Sequence, residues 1–361
     1  MPDPYPLVCK RGRRVRRLTS ATSILFLLCI DGFLSADDKK DADTPVATIN
    51  SLVNCGNVFG DQEVEVRFRI DARRALKGRF AWRYAVGPAT AAAREIELVA
   101  GPDAAANIVI KLPIPPVKAG VVLQSRLTLH VYEAGQNVPL ATVDRDIWIF
   151  PKDPFSDRND WLKKLKITLY DPPGATKKVL DAAKVPFEEI NTAAALTDLN
   201  EGLLLIGEGT SFKEEKDLPV TLDKLATRGL VVLFLAPTDG EIAIPGLSGP
   251  SSALRDLTMR RDIVRRLDKR LAPEGWPADE QAIASSITVK TGENGVVGEV
   301  TKGVGGWPWV EVRPEMGNGC FALCGHSIIA RWETGPNSRF LLAKLLEHLT
   351  EIDSDKTKKG E

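Results

Sequence analysis

The chain has 361 residues, 43% hydrophobic and 27% charged, and its 48 Lys and Arg balance 48 Asp and Glu. This composition excludes a disordered or collagen-like chain and allows two domains with separate cores. The lack of a basic excess excludes nucleic acid as a partner recognised by overall charge.

Lys10, Arg11, Arg13, Arg14, Arg16 and Arg17 precede the apolar run Ile24–Ile30, which leads into Gly32-Phe33-Leu34-Ser35-Ala36 and the charged Asp37-Asp38-Lys39-Lys40. A basic stretch, a short apolar stretch and small residues before a polar start are the parts of a secretory signal peptide over residues 1–36. The run is well short of the roughly 20 residues of a spanning helix. The expected location is therefore periplasmic or extracellular; left uncleaved, the segment would anchor the chain at a membrane. Residues 37–44 read as a linker. Beyond the leader remain Cys55, Cys320 and Cys324, too few for a disulfide framework. Cys320 and Cys324 fall in one predicted strand, on one face and about 13 Å apart, and read as small core residues.

From 45 to 150 the period is two. Val64, Val66, Phe68 and Ile70 alternate with Glu63, Glu65, Arg67 and Arg69, and the pattern recurs at Phe80-Trp82-Tyr84-Val86, Ile96-Leu98, Leu127-Leu129-Val131 and Ile147-Ile149. Half-buried strands at such spacing predict an antiparallel β-sandwich of immunoglobulin-like kind. Residues 151–161, "PKDPFSDRNDW", break the rhythm and read as an interdomain linker.

Residues 162–350 then alternate strand and helix: strand 166–170, helix 176–184, strands 187–190 and 203–206, helix 218–227, strand 229–237 and a leucine-striped helix over 338–349. That order predicts an α/β domain with a parallel, flavodoxin-like sheet, so the chain is α+β with two domains. "RRDIVRRLDKRL", 260–271, reads as a helix with a solvated basic face, and 351–361 as a disordered tail.

"KITLYDPPGATKKVLDAAKVPFEEI", "GLLLIGEGTSF", "RGLVVLFLAP" and "GNGCFALCGHSIIARWETGPNSRFLLAKLLEHL" together resemble the class I glutamine amidotransferase-like fold. The form in question is the one attached to secreted or envelope proteins and to some glycoside hydrolases. Active members of that superfamily carry a nucleophilic Cys on a sharp turn after a strand. The matching turn here, Ala236-Pro237-Thr238-Asp239-Gly240, has none. The resemblance therefore implies a degenerate, non-catalytic domain.

Glu208 and Asp171 would sit at the carboxyl ends of neighbouring parallel strands, where open α/β sheets bind ligands. Two carboxylates around one crevice are the minimum for glycoside hydrolysis or for holding sugar hydroxyls. The same Gly-Glu-Gly-Thr-Ser series also starts a helix, with Thr210 or Ser211 near the N-cap. His326, two residues from Cys324, completes the catalytic candidates, although an extended chain holds the pair about 7 Å apart. Glu208, Ser211, Asp239 and Trp332 are the candidate ligand-binding residues. Trp276, Trp307, Trp309 and Trp332 supply either stacking faces for carbohydrate or packing. The three histidines share no short spacing, so neither a metal site nor a cofactor site is expected.

The reading is an exported binding or scaffolding protein of the cell envelope, with a carbohydrate or an envelope protein as partner. Its rivals are a carbohydrate-active hydrolase using Asp171 and Glu208, and an accessory subunit of an envelope complex.

Overall fold

Alternating apolar and polar residues carry the first part of the chain into β1 (Ala47–Ser51), β2 (Asn57–Phe59), β3 (Gln62–Ala72), β4 (Leu76–Val86), β5 (Ala89–Ala100), β6 (Ala106–Ile114), β7 (Leu123–Glu133) and β8 (Ala141–Phe150). The computed structural model describes residues 45–244, 254–278, 283, 285–291, 296–301, 306–314 and 319–357. The expected leader, the 37–44 linker and residues 358–361 lie outside the described residues. β1, β3 and β6 form one sheet and β2, β8, β7, β4 and β5 another. Phe68, Ile70, Phe80, Tyr84, Leu127 and Leu129 point into a shared core. The first half is thus a β-sandwich, as its period of two requires.

The second half contains α1 (Asn159–Lys164), β9 (Ile167–Tyr170), α2 (Ala175–Ala182), β10 (Glu188–Ile190), β11 (Leu203–Ile206), α3 (Leu218–Thr227), β12 (Val231–Leu235), β13 (Gly240–Ile244), β14 (Leu254–Arg260), α4 (Ile263–Leu267), β15 (Ser286–Thr291), β16 (Val296–Thr301), β17 (Trp309–Pro314), β18 (Cys320–Cys324) and α5 (Pro336–Thr357). Its main sheet runs β10-β9-β11-β12-β18-β17-β14. The first five strands are mutually parallel and the last two pair antiparallel.

Continuous apolar runs bury both faces of the central strands. Leu203, Leu205, Leu233, Cys320, Ala322 and Cys324 face a core shared with α1, α2, α4 and α5. Leu204, Ile206, Phe234, Phe321 and Leu323 face α3 and the small β13-β15-β16 sheet.

Three expectations need correction. Residues 260–271 are not one helix: Leu257 and Met259 continue the strand period of β14, and α4 is a single short helix. Asp268 ends it, its side chain accepting from Arg270 N at the start of a 3₁₀ turn. The C-terminal helix continues through residue 357, so 351–357 is helix and not tail. No Gly or Pro interrupts the chain before Gly360, and polar residues continue a helix whose apolar stripe has already docked. Finally, 151–161 belongs to the second core, because Phe155 is buried there and α1 begins at Asn159.

Residues 45–361 form one compact unit. Trp276 leaves the second half to enter the sandwich core, 6.3 Å from Phe68 between ring centroids, and its Nε1 donates to the Asp146 carbonyl at 2.8 Å. A Cβ at Gly56 would fall 2.2 Å from Pro273 Cγ, so only glycine admits this approach. On the other flank Phe150 meets Phe340 at 4.7 Å, and the Arg339 guanidinium lies 4.8 Å from the Phe59 ring centre.

Candidate functional site

β9 and β11 are neighbours, but the chain leaves β9 toward β10 on one side and β11 toward β12 on the other. Such a reversal opens a crevice outside the carboxyl ends of the two strands. Asp171 follows β9 and Gly207-Glu208-Gly209 follows β11, so the fold brings the two carboxylate-bearing turns together there. Gly207 N–H donates to the Tyr170 carbonyl at 2.8 Å, and a Cβ at Gly207 would fall 2.0 Å from Asp171 Oδ1.

The Glu208 carboxylate is fully committed, whereas Asp171 is committed through Oδ2 alone and its buried Oδ1 has no hydrogen-bond partner among the described residues. Glu208 is 9% exposed, and its carboxylate accepts four hydrogen bonds from the turn after β18. Ser327 Oγ and Ala330 N donate to Oε1 at 3.1 Å each; Ile328 N and Ile329 N donate to Oε2 at 2.8 and 2.6 Å. Successive N–H groups of this kind form an anion-holding nest. Glu208 N–H in turn donates to Thr176 Oγ1 at 2.9 Å.

Asp171 serves α2. The residue capping that helix, Gly174, has no side chain to offer, and Asp171 Oδ2 accepts from Lys177 N at 2.8 Å instead. Burial raises the Asp171 carboxyl above its ordinary range, against the N–H groups of Lys177, Thr176 and Gly174.

The turn at 236–240, where a nucleophile elbow is expected, carries no Cys. Ala236 has φ +22°, a conformation strained for any residue with a Cβ, and its N–H donates to the Cys324 carbonyl at 2.6 Å. Its side chain is a buried methyl group. Ser211 and Asp239 do meet, Ser211 Oγ donating to Asp239 Oδ1 at 2.5 Å, with Lys213 Nζ at 3.2 Å from Oδ2. The Ser211 bond and the Lys213 cation hold the Asp239 carboxyl below its ordinary range. Ser211 Oγ also accepts from Lys213 N and Glu214 N at 3.2 and 3.3 Å, which makes it a turn cap.

His326 is half-buried beyond β18, its backbone bridged to Ile283. Its backbone N–H meets the Cys324 thiol, yet burial pushes that thiol up to about 12, and the Glu208 charge adds to the rise. The pair therefore yields no thiolate at neutral pH. Trp332 is 6% exposed and packs in the core below Arg339, leaving no open face for a sugar ring. Trp276 and Trp309 are buried as well. Trp307 alone of the four is half-exposed.

Sequence reasoning missed the donors of Ser327–Ala330, since backbone N–H groups have no sequence signature. It also missed a buried cluster on β17. Glu311 Oε1 accepts from Arg313 Nε at 2.7 Å, and Oε2 lies 3.3 Å from Trp309 Nε1 and 3.1 Å from His348 Nε2. Burial is the largest single influence on Glu311 and would raise it. The His348 hydrogen bond and the charges of Arg313 and His348 together outweigh that and hold it at about 2. Among the described residues no group of three or more His, Cys, Asp or Glu is placed to hold a metal ion.

No family model matches the chain, and no curated protein matches it. Among solved structures, it is similar over 30% of its length to 94% of the CARDB domain of the PF1109 protein from Pyrococcus furiosus, at 11% identity and a TM-score of 0.21. Spo0M, the sporulation control protein from Bacillus subtilis, aligns with 34% of the chain at 11% identity and a TM-score of 0.24, and 56% of its own length is covered. A putative beta-galactosidase from Bacteroides fragilis aligns with 55% of the chain at 6% identity and a TM-score of 0.23, and only 29% of that enzyme is covered. Likenesses this weak define neither a family nor a function.

Proposed function

We propose that the chain is an exported, non-catalytic binding or scaffolding protein of the cell envelope. In this reading an immunoglobulin-like sandwich precedes a degenerate amidotransferase-like domain. Numbering the five parallel strands from β9 in chain order, their spatial order is 2-1-3-4-5, that of flavodoxin-like sheets, which supports the α/β half of the reading. Export rests on the basic and apolar pattern of residues 10–36.

One observation carries the non-catalytic reading: the Glu208 carboxylate is saturated by four donors of its own chain. A hydrolase needs a carboxylate free to take or give a proton beside the substrate. Freeing Glu208 would leave three backbone N–H groups and a hydroxyl unpaired in a buried place.

A thermal-shift panel of oligosaccharides, glutamine, amino acids and nucleotides, run on the wild type and on Glu208→Gln, tests this. The expected result is a lower melting temperature for the variant, the same with and without every ligand. A sugar that raises the wild-type melting temperature but not the variant's, and that the wild type but not the variant hydrolyses, would overturn the reading and restore the hydrolase.

A further inference from the structure

Residues 156–161 and Glu347 of α5 line one open hollow of about 420 Å³, at the place where the chain passes from the sandwich into α1. That volume is in the range of small-molecule sites. No residue of the Glu208 turn lines it.

Two of the lining residues are already spent. Arg158 is ion-paired with Glu347, and its guanidinium lies 5.5 Å from the centre of the Trp161 ring. Lys344 Nζ donates to the other oxygen of Glu347 at 2.7 Å. The remaining polar groups are available. Ser156, Asp157, Asn159 and Asp160 are exposed. Among the described residues the side chains of Asp157 and Asn159 have no hydrogen-bond or ion-pair partner, and neither caps α1. Asp160 has only Lys163, at 3.9 Å and in water, a pairing worth little. Trp161 packs against the second core and stays half-exposed.

A hollow of about 350 Å³ on the sandwich makes the contrast. No aromatic residue lines it, and its polar groups are engaged: Arg83 Nε donates to Thr90 Oγ1 at 2.8 Å, Arg126 Nε to Asp146 Oδ1 at 3.2 Å and Thr128 Oγ1 to Asp144 Oδ1 at 2.7 Å.

Charge narrows the occupant. Asp157, Asp160 and Glu347 against Arg158 make the first hollow acidic, which disfavours an anion. The cation that an indole attracts is already supplied by Arg158. Among the described residues no group of three His, Cys, Asp or Glu is placed to hold a metal ion. The free groups match a neutral polyol instead. Carboxylates accept from hydroxyls in strong, charge-assisted bonds, an amide both donates and accepts, and an indole offers an apolar surface to the C–H face of a sugar ring.

We propose that this hollow binds a neutral oligosaccharide, with Asp157, Asn159 and Asp160 on its hydroxyls and Trp161 against a ring. The site is separate from the Glu208 turn and does not depend on the non-catalytic reading.

Isothermal titration of the full chain tests this, with maltotriose, cellotriose, xylotriose and the trimer of N-acetylglucosamine as neutral probes. Trimers of galacturonate and of glucosamine are the anionic and cationic ones. Binding of at least one neutral trimer, tighter than either charged one, is expected. Asp157→Ala with Asn159→Ala should weaken it more than about tenfold, with the melting temperature unchanged because both residues are exposed. Gln124→Ala, in the sandwich hollow, should leave it as it was. A sugar held here raises the melting temperatures of the wild type and of Glu208→Gln alike, which separates it from one held at Glu208. Three results would each overturn the proposal: no binding of any neutral trimer at millimolar concentration, a charged trimer preferred over all of them, or an affinity that the double variant does not change.

Discussion

The carboxylate of Glu208 and the backbone N–H of Ile329 are 2.6 Å apart, the shortest of four bonds that tie the turn after β11 to the turn after β18. Two strands separated by β12 are thereby locked at their carboxyl ends. The anion that a crevice of this kind would otherwise recruit is supplied by the chain itself.

Removing that anion should be costly. Glu208→Ala strands four buried donors, and the expected loss is about 3–5 kcal/mol, read by urea denaturation. Glu208→Gln keeps the shape but offers an amide to some of the donors, with a loss of about 2 kcal/mol. Formate or acetate should raise the melting temperature of Glu208→Ala and leave that of the wild type unchanged, because only the variant has an empty nest.

Trp276→Ala should cost about 3–5 kcal/mol, the range for deleting a buried large aromatic. The indole fills the sandwich core while belonging to the second half of the chain. Its loss should therefore also separate the unfolding of the sandwich from that of the main sheet, visible as two transitions in calorimetry where the wild type has one.

The acid limb of the stability profile should depend on Glu311. Its carboxyl is near 2 in the folded chain against 4.5 for an unperturbed one, so the folded state binds this proton more weakly than the unfolded state. The stabilisation is complete above the unfolded value and is lost as pH falls from about 4.5 through about 2, on the order of 3 kcal/mol in all. Glu311→Gln should flatten stability against pH in that window. Asp171 has the opposite sign: its raised carboxyl favours the folded state at low pH, and that contribution fades as pH rises through its folded value. Asp171→Asn, which can still cap α2, should remove this slope.

Thiol chemistry gives a further check. Cys324 is fully buried with its thiol at about 12, Cys320 is buried beside it in β18, and burial lifts Cys55 to about 11. Iodoacetamide at mildly alkaline pH should therefore modify none of these three in the folded chain at an appreciable rate. Labelling of Cys320 and Cys324 should track unfolding in denaturant. Rapid modification of Cys324 alone would mean an activated thiol and would restore it as a nucleophile beside His326.

Much of the fold was legible because local pattern and tertiary role agree. The alternation Val64–Ile70 became β3, the run at 203–206 became a buried strand, the run at 229–237 became one over its central residues 231–235, and the helix over 218–227 has the bounds its pattern implied. Failures came where two periods compete over a few residues. At 254–271 a strand, a short helix and a 3₁₀ turn follow one another within the length of a single helix. The position of the candidate site was legible, since strand order puts Asp171 and Glu208 at one edge. Its occupancy was not.

By itself the sequence determined which residues alternate, which are apolar on both faces and where the chain changes from one rhythm to the other. Those properties reside in side-chain type and spacing. Only the tertiary structure decided that Glu208 faces four donors 119 to 122 residues away, that Asp171 caps α2, that Trp276 fills the core of the other half and that Ala236 holds a strained turn without a nucleophile. The reason is physical. A carboxylate reads the same in sequence whether it meets water, substrate or backbone N–H groups, and only the packing of distant turns settles which of them it meets.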